Sequence, residues 1–289
     1  MTAEKTQMTA DTVLPATNNW SNPEPKEERR PWIETQAGRI VAPLAVLAGT
    51  FGLWQLATTA GWVNPLVLPS PAMIAEVFAR NGAEVLRNAA YTTIEALAGF
   101  VIGNIVGFLV AVLVVDSQIG RRTLYPLAIL FHAMPVVAIS PALMLWLGNG
   151  LAPKIFVTAF LVFFPMSINA LRGLQSADSS VSELMYTFSA TRWQRLIKVR
   201  LPASLPFVFS ALRLAACACF VAAIVAEWVS ADSGLGYVVV SASLTYDTPQ
   251  VWAAVLTGTV LSMLLYGLVV IADWLLTPWA RKTTVSFSR

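Results

Sequence analysis

The sequence predicts an all-α membrane protein with about six transmembrane helices. Of its 289 residues, 56% are hydrophobic and only 12% are charged, whereas about a quarter of the residues of a soluble globular domain are charged. Apolar stretches long enough to cross a bilayer recur along the chain. A span needs about 20 such residues, because the hydrocarbon core is roughly 30 Å thick and a helix rises about 1.5 Å per residue.

Six stretches have the length and composition of a membrane span. The uncharged ones cover residues 40–60, 96–115, 124–147, 155–171 and 248–272. The sixth, 205–229, contains Arg213 and Glu227 and qualifies if both lie near its ends or face protein. The first stretch begins behind a polar segment, unlike a cleavable signal peptide, so we expect it to remain as an anchor.

The polar ends and the basic residues predict an orientation. Residues 1–39 contain few aliphatic side chains and are expected to form a disordered cytoplasmic tail, and 281–289 a second one. With the N-terminus inside, the outside segments contain only Arg80, Arg87 and Lys154, and Arg213 lies within a span. Every other Lys and Arg then falls in the cytoplasm, where such residues are retained.

Two segments outside the spans have predicted structure of their own. Residues 61–71 contain three prolines and are expected to form an extended external loop, followed by a short amphipathic helix at 73–87. The apolar stretch 238–244 is too short to span and is expected to re-enter the membrane edge.

The longest internal cytoplasmic loop, residues 172–204, is predicted to contain an amphipathic helix. Between residues 183 and 200 its apolar side chains recur at spacings of three and four, with basic residues elsewhere on the helical wheel. The apolar members are Leu184, Met185, Phe188, Leu196 and Val199. Periodicity alone leaves two interpretations open: a helix held on the bilayer surface by its basic residues, or an element that docks a partner.

The same loop contains a spaced set of residues that resembles a known signature. Glu183, Ser189, Val199, Leu201 and Pro202 fall at the spacing Glu-Ala-Ala, three residues, Gly, nine residues, Ile-x-Leu-Pro. This is the cytoplasmic signature of the permease subunits of ABC importers. The sequence departs from it with Leu and Met for the two alanines, Ser for the glycine and Val for the isoleucine.

Further segments resemble one branch of that family, the nitrate, sulfonate, taurine and thiamine-precursor importers. They are LPSP at 68–71, FFPMSIN at 163–169, LPASLP at 201–206 and SGLGY at 233–237. The likeness covers roughly residues 40–280. Glu95 and the Glu-Leu-Met at 183–185 are more similar to the pyrimidine-precursor and riboflavin-type permeases than to the sulfonate ones.

The resemblance implies a type I ABC importer permease fold with a cytoplasmic coupling helix in the inner or plasma membrane. It implies a homodimer that works with an ATP-binding subunit and an extracytoplasmic solute-binding protein by alternating access, with ATP bound by the partner and no cofactor on this chain. Its implied docking residues are Glu183, Ser189, Ala190, Val199, Leu201 and Pro202.

Each motif residue has a physical interpretation as part of a docking element. Glu183 near the start of a helix would cap free amides and oppose the helix dipole. A small residue at the turn, Ser189, would let the partner's backbone come close, and Pro202 would end the helix before the fifth span.

The sequence also argues against other classes of protein. It contains no Gly-x4-Gly-Lys-Ser/Thr loop for nucleotide phosphates, and no Gly-x-Ser-x-Gly turn. With His132 as the sole histidine, no metal-binding histidine pair exists, so a membrane enzyme is not expected.

The alternative is a secondary transporter or channel, which would need ionisable groups near the bilayer midplane. Glu95, Arg213, Glu227 and Asp273 all lie near predicted ends.

Candidates for the translocation pathway lie on the spans that contain prolines. A proline leaves a carbonyl without its helical donor, so such helices tend to face other helices or a wet cavity. We expect the interior side to carry His132, Met134, Ser140 and Asn169. For each, a packed helix contact competes with a substrate contact, and for Met134 packing is favoured. Glu227 is either a snorkelling interfacial carboxylate or a salt bridge or gate contact at the pathway mouth.

Overall fold

The computed structural model describes residues 36–230 and 232–279, and within them every regular element is helical. The α-helices in chain order are α1 Gln36–Thr59, α2 Pro71–Val114, α3 Gln118–His132, α4 Val136–Leu147, α5 Leu151–Gln175, α6 Ser179–Thr187, α7 Arg192–Arg195, α8 Leu201–Ser230, α9 Leu235–Leu244 and α10 Thr248–Leu276. A π-helical turn, Leu196–Arg200, joins α7 to α8. The predicted all-α class is confirmed.

Most of both predicted tails falls outside the described residues. Only 36–39 of the segment 1–39 are described, and they form the first turn of α1, while 281–289 lies entirely outside. Residues 36–52 of α1 belong to one compact unit, and the described residues from Leu53 onward belong to another.

Four helices of the described part of the chain are long and apolar enough to cross a membrane. They are α2, α5, the continuous run Arg192–Val229 and α10. Shorter apolar helices cover Leu44–Thr59, Ala138–Leu147 and Leu235–Leu244. Each of the six predicted spans overlaps helix, but those at 40–60 and 124–147 fall on helices that are not among the four long enough to cross.

The predicted third span, 124–147, is not one helix. It is broken between α3, which ends at His132, and α4, which begins at Val136. Pro135 lies at the break with φ −69° and ψ 106°. Because proline has no N–H and disfavours helical backbone before it, the chain leaves the helix for this turn.

The amphipathic helix predicted at 73–87 is not separate from the second span. Both belong to α2, which begins with Pro71 after the N-cap Ser70 and continues to Val114. Asn81 has non-helical angles, φ −120° and ψ 16°, and marks a kink between the two parts.

The centre of the bundle is formed by α2, α5 and α8. Ala111 on α2, Met166, Ala170 and Leu171 on α5, and Ala211 on α8 form one buried cluster. Glycines spaced four apart on α2 let its backbone approach α5 closely, as small residues do between membrane helices; a Cβ on Gly103 would overlap the carbonyl oxygen of Ala159.

The short helix α9 packs inside this bundle. Its Leu235 and Val238 are buried against Val85 and Ala89 of α2 and Ala254 of α10. It is ten residues long, which is too short to span, as predicted.

Candidate docking and pathway sites

The loop between α5 and α8 is helical, but it is two helices and not the single one predicted. The first, α6, begins after Asp178, whose side chain accepts a 2.9 Å hydrogen bond from the Ser180 amide. Glu183 lies in the middle of α6 and is exposed. The capping role predicted for Glu183 therefore belongs to Asp178.

A tight turn with Ser189 at its centre separates the two helices. The Ala190 amide donates to the Met185 carbonyl at 3.0 Å, and the Ser189 amide to that of Tyr186 at 2.9 Å. Ser189 has φ 53°, the left-handed conformation that glycine adopts most readily after a helix. The left-handed backbone at this position explains why the signature has a glycine there. The sequence interpretation explained that glycine only by the close approach of a partner, and so missed the conformational reason.

The second helix continues into the bundle without interruption. Thr191 and Gln194 form a reciprocal capping box at the start of α7, and the π-helical turn connects α7 directly to α8. Pro202 was predicted to end a helix, and this is wrong. It lies in the first turn of α8. Proline is tolerated there because the missing N–H falls next to the π-helical turn, where the regular hydrogen-bond register is already interrupted.

The six predicted docking residues differ in exposure. Glu183 and Ser189 are exposed, while the half-buried ones are Ala190, Val199, Leu201 and Pro202. Large apolar side chains accompany the exposed pair: Tyr186, Phe188 and Trp193 are each at least 70% exposed. Exposed apolar side chains of this size mark a surface that contacts another protein or lipid.

The base of the loop is fixed to neighbouring helices. Arg200 Nη1 lies 2.6 Å from Asp116 Oδ1, in the link between α2 and α3. Arg172 Nε donates to the Tyr125 hydroxyl at 3.3 Å, and its guanidinium lies 5.7 Å from the centroid of the same ring. These contacts fix the base of the loop to the bundle. The tip of the loop, residues 183–193, is largely exposed.

The predicted pathway residues do not converge on one point. Asn169 is half-buried on α5, donates to the Pro165 carbonyl at 2.8 Å, and borders a cavity of about 480 Å³ between α3, α5 and α8. Met134 is exposed in the break between α3 and α4, and His132 ends α3. Ser140, in contrast, is buried within the chain on α4.

Glu227 does not lie at an interface with solvent, so the snorkelling interpretation is wrong. It is 1% exposed. Its Oε1 accepts a hydrogen bond from the Thr92 hydroxyl at 2.7 Å and its Oε2 one from the Gly236 amide at 2.6 Å. The Gly234 amide donates to Asn88 Oδ1, and the Leu235 amide to Thr92 Oγ1. Side chains from α2 and α8 thus cap the start of α9.

A buried ion pair lies in the same region and was missed by the sequence interpretation. Lys154, assigned to an outside loop, lies in the first turns of α5 with its Nζ 2.9 Å from Glu95 Oε1. Both side chains are buried. The available signal was the presence of opposite charges at the edges of two apolar segments, because charges inside a membrane protein are usually paired.

Long apolar helices, with charges paired inside the bundle, define an integral membrane protein. Residues 103–282 match the family described as binding-protein-dependent transport system inner membrane component. The chain belongs to this family, and the resemblance to ABC importer permeases is confirmed.

Relatives with transport names cover most of the chain. A probable ABC transporter permease protein of Haemophilus influenzae is 31% identical over 82% of this chain and 96% of its own length. The formylaminopyrimidine transport permease protein ThiX of Halalkalibacterium halodurans is 30% identical, covering 76% of this chain and 88% of its own. The putative aliphatic sulfonates transport permease protein SsuC of Escherichia coli is 31% identical, with coverages of 78% and 86%.

The fold is similar to that of a chain of the MetNI methionine ABC transporter in an inward-facing conformation. The TM-score is 0.55 and the identity 21%, over 68% of this chain and 95% of that one. The predicted type I importer permease fold is confirmed. The relatives' identities of 30% and 31% do not separate the pyrimidine-precursor and sulfonate types, so that finer resemblance stays a prediction.

Proposed function

We propose that this chain is the permease subunit of an ATP-driven importer and forms the translocation pathway for a small solute by alternating access. Membership of the permease family supports the transport role. The observation that carries the docking part is the exposed pair of short helices, α6 and α7, around a residue in the conformation of the signature glycine.

The tip of this loop is the proposed contact with the ATP-binding subunit. Glu183, Ser189 and the exposed Phe188 would meet the partner, while the half-buried Ala190, Val199, Leu201 and Pro202 hold the tip on the bundle. Exposed aromatic side chains of this kind are enriched in the energetically dominant part of protein interfaces. ATP would be bound and hydrolysed by the partner, and this chain would need no cofactor of its own.

The rest of the proposed assembly follows the family. Two copies of the chain would form the pathway between them, a solute-binding protein would deliver the solute from outside, and both termini would lie in the cytoplasm. The cavity beside Asn169 is the proposed part of the pathway in each copy, because it lies next to the broken helix α3–α4 and holds a polar side chain.

The solute is proposed to be a small organic or inorganic molecule of the sulfonate, nitrate, taurine, or pyrimidine and vitamin-precursor type. The names of the similar permeases, formylaminopyrimidine and aliphatic sulfonates, support this range.

Uptake by the reconstituted complex tests the proposal. Proteoliposomes containing this chain, its ATP-binding subunit and its binding protein would be supplied with a labelled alkyl sulfonate or a labelled aminopyrimidine. We expect uptake that stops when ATP is removed and continues when an ionophore collapses the ion gradients. Uptake that follows the ion gradient and ignores ATP would contradict it and favour a secondary transporter.

A further inference from the structure

Three ionisable side chains from three helices meet inside the bundle. Glu95 belongs to α2, Lys154 to α5 and Glu227 to α8, and their exposed fractions are 0%, 6% and 1%. Two carboxyl groups thus share a buried site with one ammonium group. Removing an unbalanced charge from water carries a large free-energy penalty, so the protonation of this site decides whether it is neutral.

The hydrogen bonds of the site leave one acceptor without a donor. Glu95 Oε1 accepts from Lys154, and both oxygens of Glu227 accept, one from Thr92 and one from the Gly236 amide. Glu95 Oε2 is fully buried and has no hydrogen-bond partner among the described residues. A buried ionised oxygen without a donor is one of the costliest polar defects in a protein.

The two carboxyl groups face each other across the contact between α2 and α8. Thr92 and Glu95 are three residues apart on α2 and therefore lie on one face of the helix. Thr92 hydrogen-bonds to Glu227, so the Glu227 carboxyl lies against the face of α2 that carries Glu95. Two carboxylates in one buried site repel, and sharing a proton removes the repulsion.

We propose that Glu95 and Glu227 share one bound proton, which joins the two carboxyl groups through Glu95 Oε2. The site then holds one neutral carboxyl, one carboxylate and one ammonium, so its net charge is zero. The proton also supplies the donor that Glu95 Oε2 lacks.

No other charged side chain among the described residues pairs with these three and could balance the second carboxylate. Around the site, α2 contributes Glu95, α5 contributes Lys154 and α8 contributes Glu227, while α9 contributes backbone amides. On α10, Asp273 pairs with Arg213, 3.4 Å away. The described residues contain no group of three or more His, Cys, Asp or Glu side chains that could hold a metal ion.

The shared proton closes the network that holds α9. Gly234 has φ 108°, and a Cβ there would overlap the Glu227 carboxylate. A Cβ on Gly236 would overlap the Ile224 carbonyl oxygen. The start of α9 is thus seated directly on Glu227, and it cannot leave α2 and α8 without exposing the carboxyl pair. The three elements are expected to move as one body.

Infrared spectroscopy of the full chain in lipid nanodiscs at neutral pH tests the proposal. The parent should show the C=O stretch of a protonated carboxyl group, shifted in heavy water. Glu227→Gln should lack this band, because Gln supplies an N–H toward Glu95 and leaves the latter ionised against Lys154. Glu84→Gln, at an exposed carboxyl of α2, is the matched control and should keep the band.

Thermal unfolding of the same variants separates a protonated pair from an ionised one. Glu227→Gln keeps an acceptor for the Gly236 amide, and Thr92 can still donate to the Asn88 carbonyl, 3.3 Å away, so with a shared proton this variant should shift Tm by less than about 2 °C. Glu227→Ala, which leaves Thr92 and the Gly236 amide without their acceptor, should lower Tm by more than about 4 °C.

The proposal is overturned if the parent shows no protonated-carboxyl band, or if the band persists in either Glu227→Gln or Glu95→Gln. Should Glu227→Gln fail to purify, Glu95→Gln carries the test. Its remaining carboxyl can ionise against Lys154, so the band should disappear in this variant as well.

Discussion

The loop tip exposes large apolar side chains, whereas the polar cluster at the start of α9 buries polar and charged ones. The cluster consists of Asn88, Thr92, Glu95, Lys154 and Glu227. At the tip, Phe188 and Trp193 are exposed and Glu183 faces solvent. In the cluster, Glu95 and Glu227 are buried, and α9 is held by side chains of two other helices. The tip leaves apolar surface uncovered, where another protein or lipid can contact it, whereas the side chains of the cluster contact one another within one chain.

The largest expected effect is on the cluster. Lys154→Met removes the only cation of the buried site and should lower the free energy of unfolding by about 3–5 kcal/mol, the cost of breaking a buried ion pair. Thermal or denaturant unfolding in detergent measures it. The matched control is Lys198→Met at an exposed loop position, expected to change stability by less than about 0.5 kcal/mol.

A double variant sharpens the same comparison. Lys154→Met with Glu95→Gln removes both charges of the pair and should recover most of the lost stability, because Glu227 then keeps the proton for itself and no unpaired charge remains. Equal losses for Lys154→Met and Lys198→Met would show that the buried pair contributes nothing special.

The second prediction concerns the contact of α2 with α5 that supports the cluster. Gly103→Ala places a Cβ against the Ala159 carbonyl and should cost about 1–3 kcal/mol of unfolding free energy by overpacking. Gly267→Ala on α10, where nothing lies within 4 Å of the added Cβ, should be neutral or stabilise by up to about 1 kcal/mol. If both variants behave alike in thermal unfolding, the close approach of α2 and α5 is wrong.

The third prediction concerns the turn at the loop tip. Ser189→Gly removes the cost of a left-handed conformation in a residue with a Cβ, about 1–2 kcal/mol. Hydrogen exchange of the α6 amides should therefore slow by about 5-fold or more. Val181→Gly, inside α6, should speed exchange instead. Faster exchange in Ser189→Gly would contradict the assigned turn.

Local patterns in the sequence predicted where the helices lie, but they did not predict the contacts between helices. Hydropathy placed each predicted span on helical segments, and the signature spacing picked out the helical loop between α5 and α8. The break at Pro135 was not predicted, although the span contains three prolines, because α3 and α4 each contain a proline inside the helix and only Pro135 interrupts it. Sequence alone does not say which proline the tertiary packing accommodates.

Glu227 and Lys154 were misplaced for a different reason. Glu227 contacts Thr92, 135 positions away, and Lys154 contacts Glu95, 59 positions away. Nothing in a local window distinguishes such residues from interfacial charges. Ser189 shows the converse case: a local signal for its left-handed turn was present, the glycine of the signature, but the sequence interpretation used that glycine only as a small residue.

The most direct test of the central claim, that the loop tip docks an ATP-binding subunit, is co-purification of the two subunits with a tip variant. Phe188→Ser and Glu183→Lys change exposed residues, and neither should shift Tm by more than about 2 °C. Loss of about 1–3 kcal/mol at the interface should weaken association by roughly 5- to 150-fold. Glu84→Lys, exposed on α2, is the control for charge reversal away from the loop.

The account predicts that both tip variants lose the ATP-binding subunit and solute-stimulated ATPase activity while the control retains them. Tip variants that bind the subunit and stimulate its ATPase like the parent would show that the loop is a lipid-surface element.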